Sequence, residues 1–150
     1  MRAPHRGILL CSALVLAGCG GAAWRDAYAR LAQSDSAARA AGYRPLSGPR
    51  NTFGLFNRAG SERWRVHLEA HQAYFVAAAC TSGCDSLDFE IAEPHGALLA
   101  RDTSAGATPR LELTAPEEGD YLVTFRWGRC RSDARCRWVA QVYAKTGSDR

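Results

Sequence analysis

The chain has 150 residues and a formal net charge of +4, from 19 Lys and Arg against 15 Asp and Glu, and it carries 6 cysteines. That length holds one domain with its own core, and not comfortably two. So slight a positive balance gives no support to a nucleic-acid role, the less so because Arg2 and Arg6 fall in a segment that reads as cleaved.

The first residues have the pattern of a processing signal. Arg2 and Arg6 form a positive start, Gly7 to Ala17 is apolar apart from Cys11 and Ser12, and small residues close the segment. It is shorter than the roughly 20 apolar residues a membrane span requires, so it is left out of the fold. Leu16, Ala17, Gly18 and Cys19 resemble the bacterial lipobox. The resemblance implies removal of residues 1–18 and a lipid-modified Cys19 as the first mature residue, with membrane as a partner through the anchor. Buried acyl chains contribute roughly 0.8 kcal/mol per CH₂, enough when several are attached to hold a protein without a transmembrane helix. Gly20 stands where an inner-membrane retention signal carries Asp, which implies an outer-membrane address facing the periplasm. The alternative is an ordinary secretory signal that leaves Cys19 as an odd thiol.

Residues 22–41 are Ala-rich and free of proline, with Trp24, Tyr28 and Leu31 at helical spacing, which predicts a helix packed on the domain. Ser34, Asp35 and Ser36 interrupt it or cap a second short helix that Gly42 ends. Pro45, Gly48 and Pro49 mark a connector. Residues 19–50 are thus read as lipidated N-terminus, helix and linker, 51–146 as the folded domain and 147–150 as a tail.

From there the period changes to two. Trp64, Val66, Leu68 and Ala70 alternate with Arg65, His67, Glu69 and His71, which predicts a half-buried strand. Leu87, Phe89 and Ile91 share a face, as do Leu111 with Leu113, and Tyr121, Val123, Phe125 and Trp127. Tyr74 to Cys80 and Trp138 to Ala144 are further strands, and Thr52 to Asn57 and Ala97 to Arg101 are weaker ones. Turn chemistry lies between them at Gly60 and Ser61, Pro94 to Gly96, Gly106 to Pro109, and Pro116 to Gly119. About eight short strands divided this way predict an all-β antiparallel sandwich or barrel after a short α-helix.

Cys80, Cys84, Cys130 and Cys136 remain once Cys11 is cleaved and Cys19 lipidated. In an oxidising compartment four cysteines read as two disulfides, with three connectivities open. Local pairing, Cys80 with Cys84 and Cys130 with Cys136, fits the short turns that each pair brackets. A four-cysteine zinc site is the alternative, although the second spacing is loose for one and free thiolates do not suit the compartment.

The run from Tyr74 to Ala144 resembles the bacterial pre-peptidase C-terminal domain and its lipoprotein relatives. The likeness rests on Cys80, Cys84, Leu87 to Ile91, Gly96, Asp102, Pro109, Gly119 to Val123, Cys130 and Cys136. It implies a small jelly-roll-like β-sandwich serving as a non-catalytic accessory or binding module, with no cofactor. Relatives of this type crowd acidic residues around the first cysteine pair, where this chain has Thr81, Ser82, Gly83 and Ser86.

Several clusters invite chemistry. Arg126, Trp127, Arg129, Arg131, Arg135, Arg137 and Trp138 surround the second cysteine pair. Guanidinium forks suit phosphate and carboxylate, and indoles stack on them or on sugar rings, so an anionic glycolipid, a cell-wall polymer or an acidic envelope protein fits this hairpin. An inhibitor or chaperone-like partner of an envelope enzyme is the sharper form of that reading; a solvated basic hairpin with both indoles in the core is the plain one. Asp85, Asp88, Glu90 and Asp102 supply oxygens for calcium, which needs 6–8 ligands and therefore loop carbonyls as well. His67, Glu69 and His71 on one strand face place the imidazoles about 13 Å apart, too far to share an ion. A Ser61, His95 and Asp102 set is the nearest approach to a hydrolase triad, with nothing in the spacing to select it.

Overall fold

The computed structural model describes residues 20–46, 52–56, 58–104, 106–131 and 136–147. Cys19 and Arg135 lie outside the described residues, so the lipidation reading and one member of the arginine hairpin have no structural counterpart here. The described residues form one helix, α1 (Gly20–Ala40), and nine strands. These are β1 (Tyr43–Pro45), β2 (Thr52–Phe56), β3 (Gly60–Leu68), β4 (Ala73–Cys80), β5 (Leu87–Ala92), β6 (Leu98–Asp102), β7 (Arg110–Thr114), β8 (Gly119–Trp127) and β9 (Cys136–Lys145).

Pairing is nested: β2 with β9, β3 with β8, β4 with β7 and β5 with β6, all antiparallel. A chain paired in this way is one long hairpin rolled over itself, the jelly-roll form of an antiparallel sandwich. The first sheet has the order β1-β9-β4-β7, with β2 also on β9, and the second has β3-β8-β5-β6. The predicted all-β class and the eight predicted strands are all present. β1 is the addition. Its Pro45 reads as a connector in the sequence, yet β1 pairs with β9 and, among the described residues, with no other strand, and an edge is where a sheet tolerates a residue with no N–H. β1 belongs to the sheet, so the sandwich begins before residue 51.

Between the sheets lies a core of alternating apolar residues. Phe125 is its centre: it stacks on Trp138 at 4.9 Å, meets Trp64 edge-on at 5.3 Å and lies 5.5 Å from Phe89. Trp138 fits only because β2 offers Gly54 opposite it, where a Cβ would come within 2.9 Å of the indole Cε2.

A second, smaller core lies outside the first sheet. Ala27, Leu31 and Ala38 of α1 pack on Tyr43, Phe75, Ala77, Ala79, Val139 and Tyr143. β4 is therefore buried on both faces from Tyr74 to Cys80, which explains its continuous apolar run in place of alternation. The buried helix positions Ala27, Leu31, Ser34 and Ala38 repeat every three or four residues. This stripe differs from the expected one, because Tyr28 lies on its rim and is 42% exposed. Nor do Ser34, Asp35 and Ser36 interrupt α1. Ser34 faces the sheet, while Asp35 accepts from Arg39 Nε one turn later at 2.8 Å. Gly42, at φ 83°, closes the helix as expected, and Lys145 Nζ donates to the free Ala41 carbonyl.

Leu31→Ala is expected to lower the unfolding free energy by about 2–4 kcal/mol in urea titrations, because a buried contact between helix and sheet becomes a cavity. Tyr28→Ala, at the exposed rim, is expected to change it by under about 0.5 kcal/mol. Equal losses at the two positions would contradict this packing.

Candidate functional site

Both disulfides form locally, Cys80 with Cys84 and Cys130 with Cys136, at the same end of the sandwich. They staple two loops that also bond to each other. Asp85 N–H donates to the Arg129 carbonyl at 3.1 Å, Arg131 N–H to Gly83 at 2.7 Å and Gly128 N–H to Ser86 at 3.1 Å. Cys84 and Cys130 are bridge partners between the two loops. The zinc alternative therefore falls, since all four sulfurs are spent in bonds.

The arginines that cluster in sequence are dispersed in space. Inward residues of β8 are Tyr121, Val123 and Phe125, so Arg126 points out of the second sheet. Val139 and Tyr143 of β9 pack toward α1, and Arg137 on the same side lies over the Trp24 ring at 4.4 Å. These two guanidiniums are on opposite faces of the molecule. Between them, Arg131 pairs with Asp85, and Arg129 is exposed at the stapled end with no side-chain partner among the described residues. Neither indole completes a flat binding surface. Trp138 is fully buried, and Trp127 is half-buried with its N–H bonded to the Arg58 carbonyl at 3.0 Å. The single arginine hairpin expected from sequence is thus corrected to separate surfaces, because β8 lies in the second sheet and β9 in the first, so the outward positions of the two strands face opposite sides of the sandwich.

What the fold does bring together is a group of arginines on the outer face of the second sheet. Register places Arg63, Thr124, Glu90 and Arg101 in one row across β3, β8, β5 and β6. Ser61, Arg126 and Asp88 form the next row, and Arg65, Leu122 and Ala92 the one on the other side. Glu90 is at the centre. Arg126 donates to its Oε1 at 2.7 Å, Arg101 lies 3.5 Å from Oε2, and Arg63 adds its field. The Arg126 bond, aided by the other guanidiniums, holds the Glu90 carboxyl below the usual carboxylate range. Three guanidiniums surround Glu90 and Arg65 stands in the adjoining row, so in these rows four arginines outnumber the two carboxylates, Glu90 and Asp88. α1 covers the first sheet and nothing among the described residues covers the second. Sequence reading missed this cluster because its members come from four strands far apart in the chain; the outward positions of β3 were the available signal.

The calcium reading is also corrected. Asp85 is bound to Arg131 at the stapled end, and Glu90 is held by two arginines. Asp102 sits at the β6 edge, its oxygens accepting from Ser104 N–H and Oγ and from Arg110 N–H at 2.6–2.8 Å. Burial alone would raise the Asp102 pKa, but these bonds outweigh it and the group titrates low. Asp88 faces Arg126. No three His, Cys, Asp or Glu among the described residues form a metal-binding group.

His67, Glu69 and His71 do not share a strand face, because β3 ends at Leu68 and His71 adopts φ 60° in the following turn. His67 lies beside Asp120 at 3.0 Å and Glu118 at 3.5 Å. The Ser61, His95 and Asp102 set is likewise not assembled. Ser61 sits near the stapled end of the second sheet, and His95 at its far end between Glu93 and Glu117.

The lowered Glu90 pKa fixes a pH dependence. A carboxyl whose folded pKa lies below its unfolded value stabilises the fold above the unfolded pKa, and that stabilisation is lost as pH falls through the folded one. In a carboxyl-detected NMR titration, Arg126→Gln is expected to move the Glu90 midpoint upward, toward the ordinary range. An unchanged midpoint would mean that Arg126 does not set it.

No family model matches the chain, and no curated protein matches it. Solved structures do match, among them PliG of Aeromonas hydrophila, a periplasmic lysozyme inhibitor of g-type lysozyme. That chain is 14% identical over 66% of this one and 91% of its own length, with a TM-score of 0.43.

Proposed function

We propose that this chain is a non-catalytic binding protein of a bacterial envelope, lipid-anchored through Cys19, and that the outer face of its second sheet docks an acidic protein partner. The observation that carries the docking reading is the convergence of Arg63, Arg101 and Arg126 on Glu90, with Arg65 in the adjoining row, on the sheet face that nothing among the described residues covers. Guanidinium forks recognise carboxylates in pairs, and a strand-borne array holds them at fixed spacing. Glu90 keeps the central arginines ordered in the absence of a partner, which reduces what binding must immobilise. Export is supported by the lipobox resemblance and by the presence of two disulfides, which persist in oxidising compartments. Gly20 after the cysteine favours the outer membrane, and the likeness to pre-peptidase C-terminal domains favours an accessory role. The inhibitor form of this reading is the one in which the docked partner is an enzyme and loses turnover.

Two measurements test it. Cys19→Ser is expected to release the protein from the membrane fraction or to block its processing, and unchanged fractionation with unchanged mass would refute the anchor. For docking, the partner retained from detergent-solubilised envelope by the wild-type chain is titrated against an Arg63→Glu/Arg101→Glu variant. Affinity is expected to fall more than about tenfold, with a weaker salt dependence. Undiminished affinity would place the interface elsewhere, and hydrolytic turnover by the partner-free protein would overturn the non-catalytic reading.

A further inference from the structure

A groove of about 500 Å³ runs along the other side of the molecule, between α1 and the β6–β7 connection. Arg30, Gln33 and Ser34 line it from the helix, and Ser104, Thr108 and Arg110 from the connection and the start of β7. Its volume lies within the usual range of small-molecule sites, roughly 300–1,000 Å³. Every lining side chain is polar, which excludes an apolar ligand.

The charged groups are pre-set for an anion. Arg30 Nε is held by Asp26 at 3.1 Å, and the other oxygen of Asp26 accepts from Ser82 N–H at 2.7 Å. That bracing leaves the terminal nitrogens of the Arg30 fork without a partner among the described residues. Arg110 has no salt bridge among the described residues. Asp102, the one acid in the lining, has both oxygens occupied by Ser104 and Arg110 donors, so it shapes the connection instead of competing for the guanidiniums. Ser34 adds a hydroxyl to the lining that has no hydrogen-bond partner among the described residues, so it is available to a ligand in the groove.

We propose that this groove binds a small hydroxylated anion, of the chemical class of sugar phosphates and uronic acids. Arg30 and Arg110 take the anionic group from two sides, and Ser34, Gln33, Thr108 and Ser104 bond the hydroxyls. The site is distinct from the docking face: α1 lies on the first sheet, and the arginine array lies on the second.

The test is an amide-resolved NMR titration of the full chain in detergent micelles with glucose 6-phosphate, glucuronate, inorganic phosphate and glucose as separate probes. Saturable shifts at Ser34, Ser104, Thr108 and Arg110 are expected with glucose 6-phosphate or glucuronate, and which of the two binds tighter identifies the anion. Arg110→Gln and Ser34→Ala are each expected to weaken that binding about tenfold or more while leaving the spectrum of β4 and β9 in place. If Arg110→Gln perturbs folding, Arg30→Gln serves as the second charge variant with the same expected loss. Glucose binding as tightly as the anions would overturn the role of the arginines. Phosphate binding as tightly as glucose 6-phosphate would overturn the role of the hydroxyl donors and leave an adventitious ion only. Absence of saturable shifts with all four probes would overturn the site itself.

Discussion

The two-sided burial of β4 and β9 is the constraint on which the remaining structure depends. Their inward residues, Val76, Ala78, Trp138, Ala140 and Val142, close the sandwich. Their outward residues, Phe75, Ala77, Ala79, Val139 and Tyr143, are equally apolar and must be covered as well. Left exposed, such a face would be a contiguous apolar patch of the kind monomeric proteins avoid. α1 supplies the cover. Its contact residues are small, so the helix approaches closely over the alanines of β4, with Leu31 as the one long apolar side chain among its buried positions. The second sheet carries no such demand, since most of its outward residues are polar, with Arg63, Arg65, Arg101, Arg126, Glu90 and Asp88 around the small apolar pair Leu122 and Ala92. The molecule is therefore one-sided, with a sealed face and an open, positive one.

Much of the fold could be read in the sequence, and what was missed has physical causes. Strands with one solvated face, such as β5 and β8, alternate cleanly, and all eight predicted strands formed. β4 was recognised from its apolar run, but alternation could not say what lay against its outer face. The continuity of helix α1 was misjudged at Ser34 to Ser36. Serine and aspartate favour caps in isolation, yet packing on the sheet and the Asp35–Arg39 pair carry the helix through. β1 was lost behind Pro45, whose missing N–H costs nothing at an edge. Local disulfide pairing followed from loop length alone.

The site was less legible than the fold. Proximity in sequence suggests one arginine hairpin, but β8 and β9 belong to different sheets, so their outward residues Arg126 and Arg137 face opposite sides of the sandwich. Contacts that do form, such as Arg63 and Arg101 around Glu90, join strands distant in the chain and depend on register, which a single sequence does not display. The indoles were drawn inward for the same reason that the core is stable: Trp138 stacks on Phe125 and fills the space above Gly54. Of the carboxylates counted as calcium ligands, Asp85 and Glu90 are held by guanidiniums and Asp102 by hydroxyl and backbone donors, while Asp88 lies opposite Arg126.

One-sidedness can be measured directly by paramagnetic relaxation with a soluble gadolinium chelate on the isotope-labelled full chain. Strong broadening is expected at the outward positions of the second sheet, Arg63, Arg65 and Arg101, with near-complete protection of Ala77, Ala79 and Val139 beneath α1. Equal broadening of the two sets would mean that the helix does not seal the first sheet, and would contradict the account.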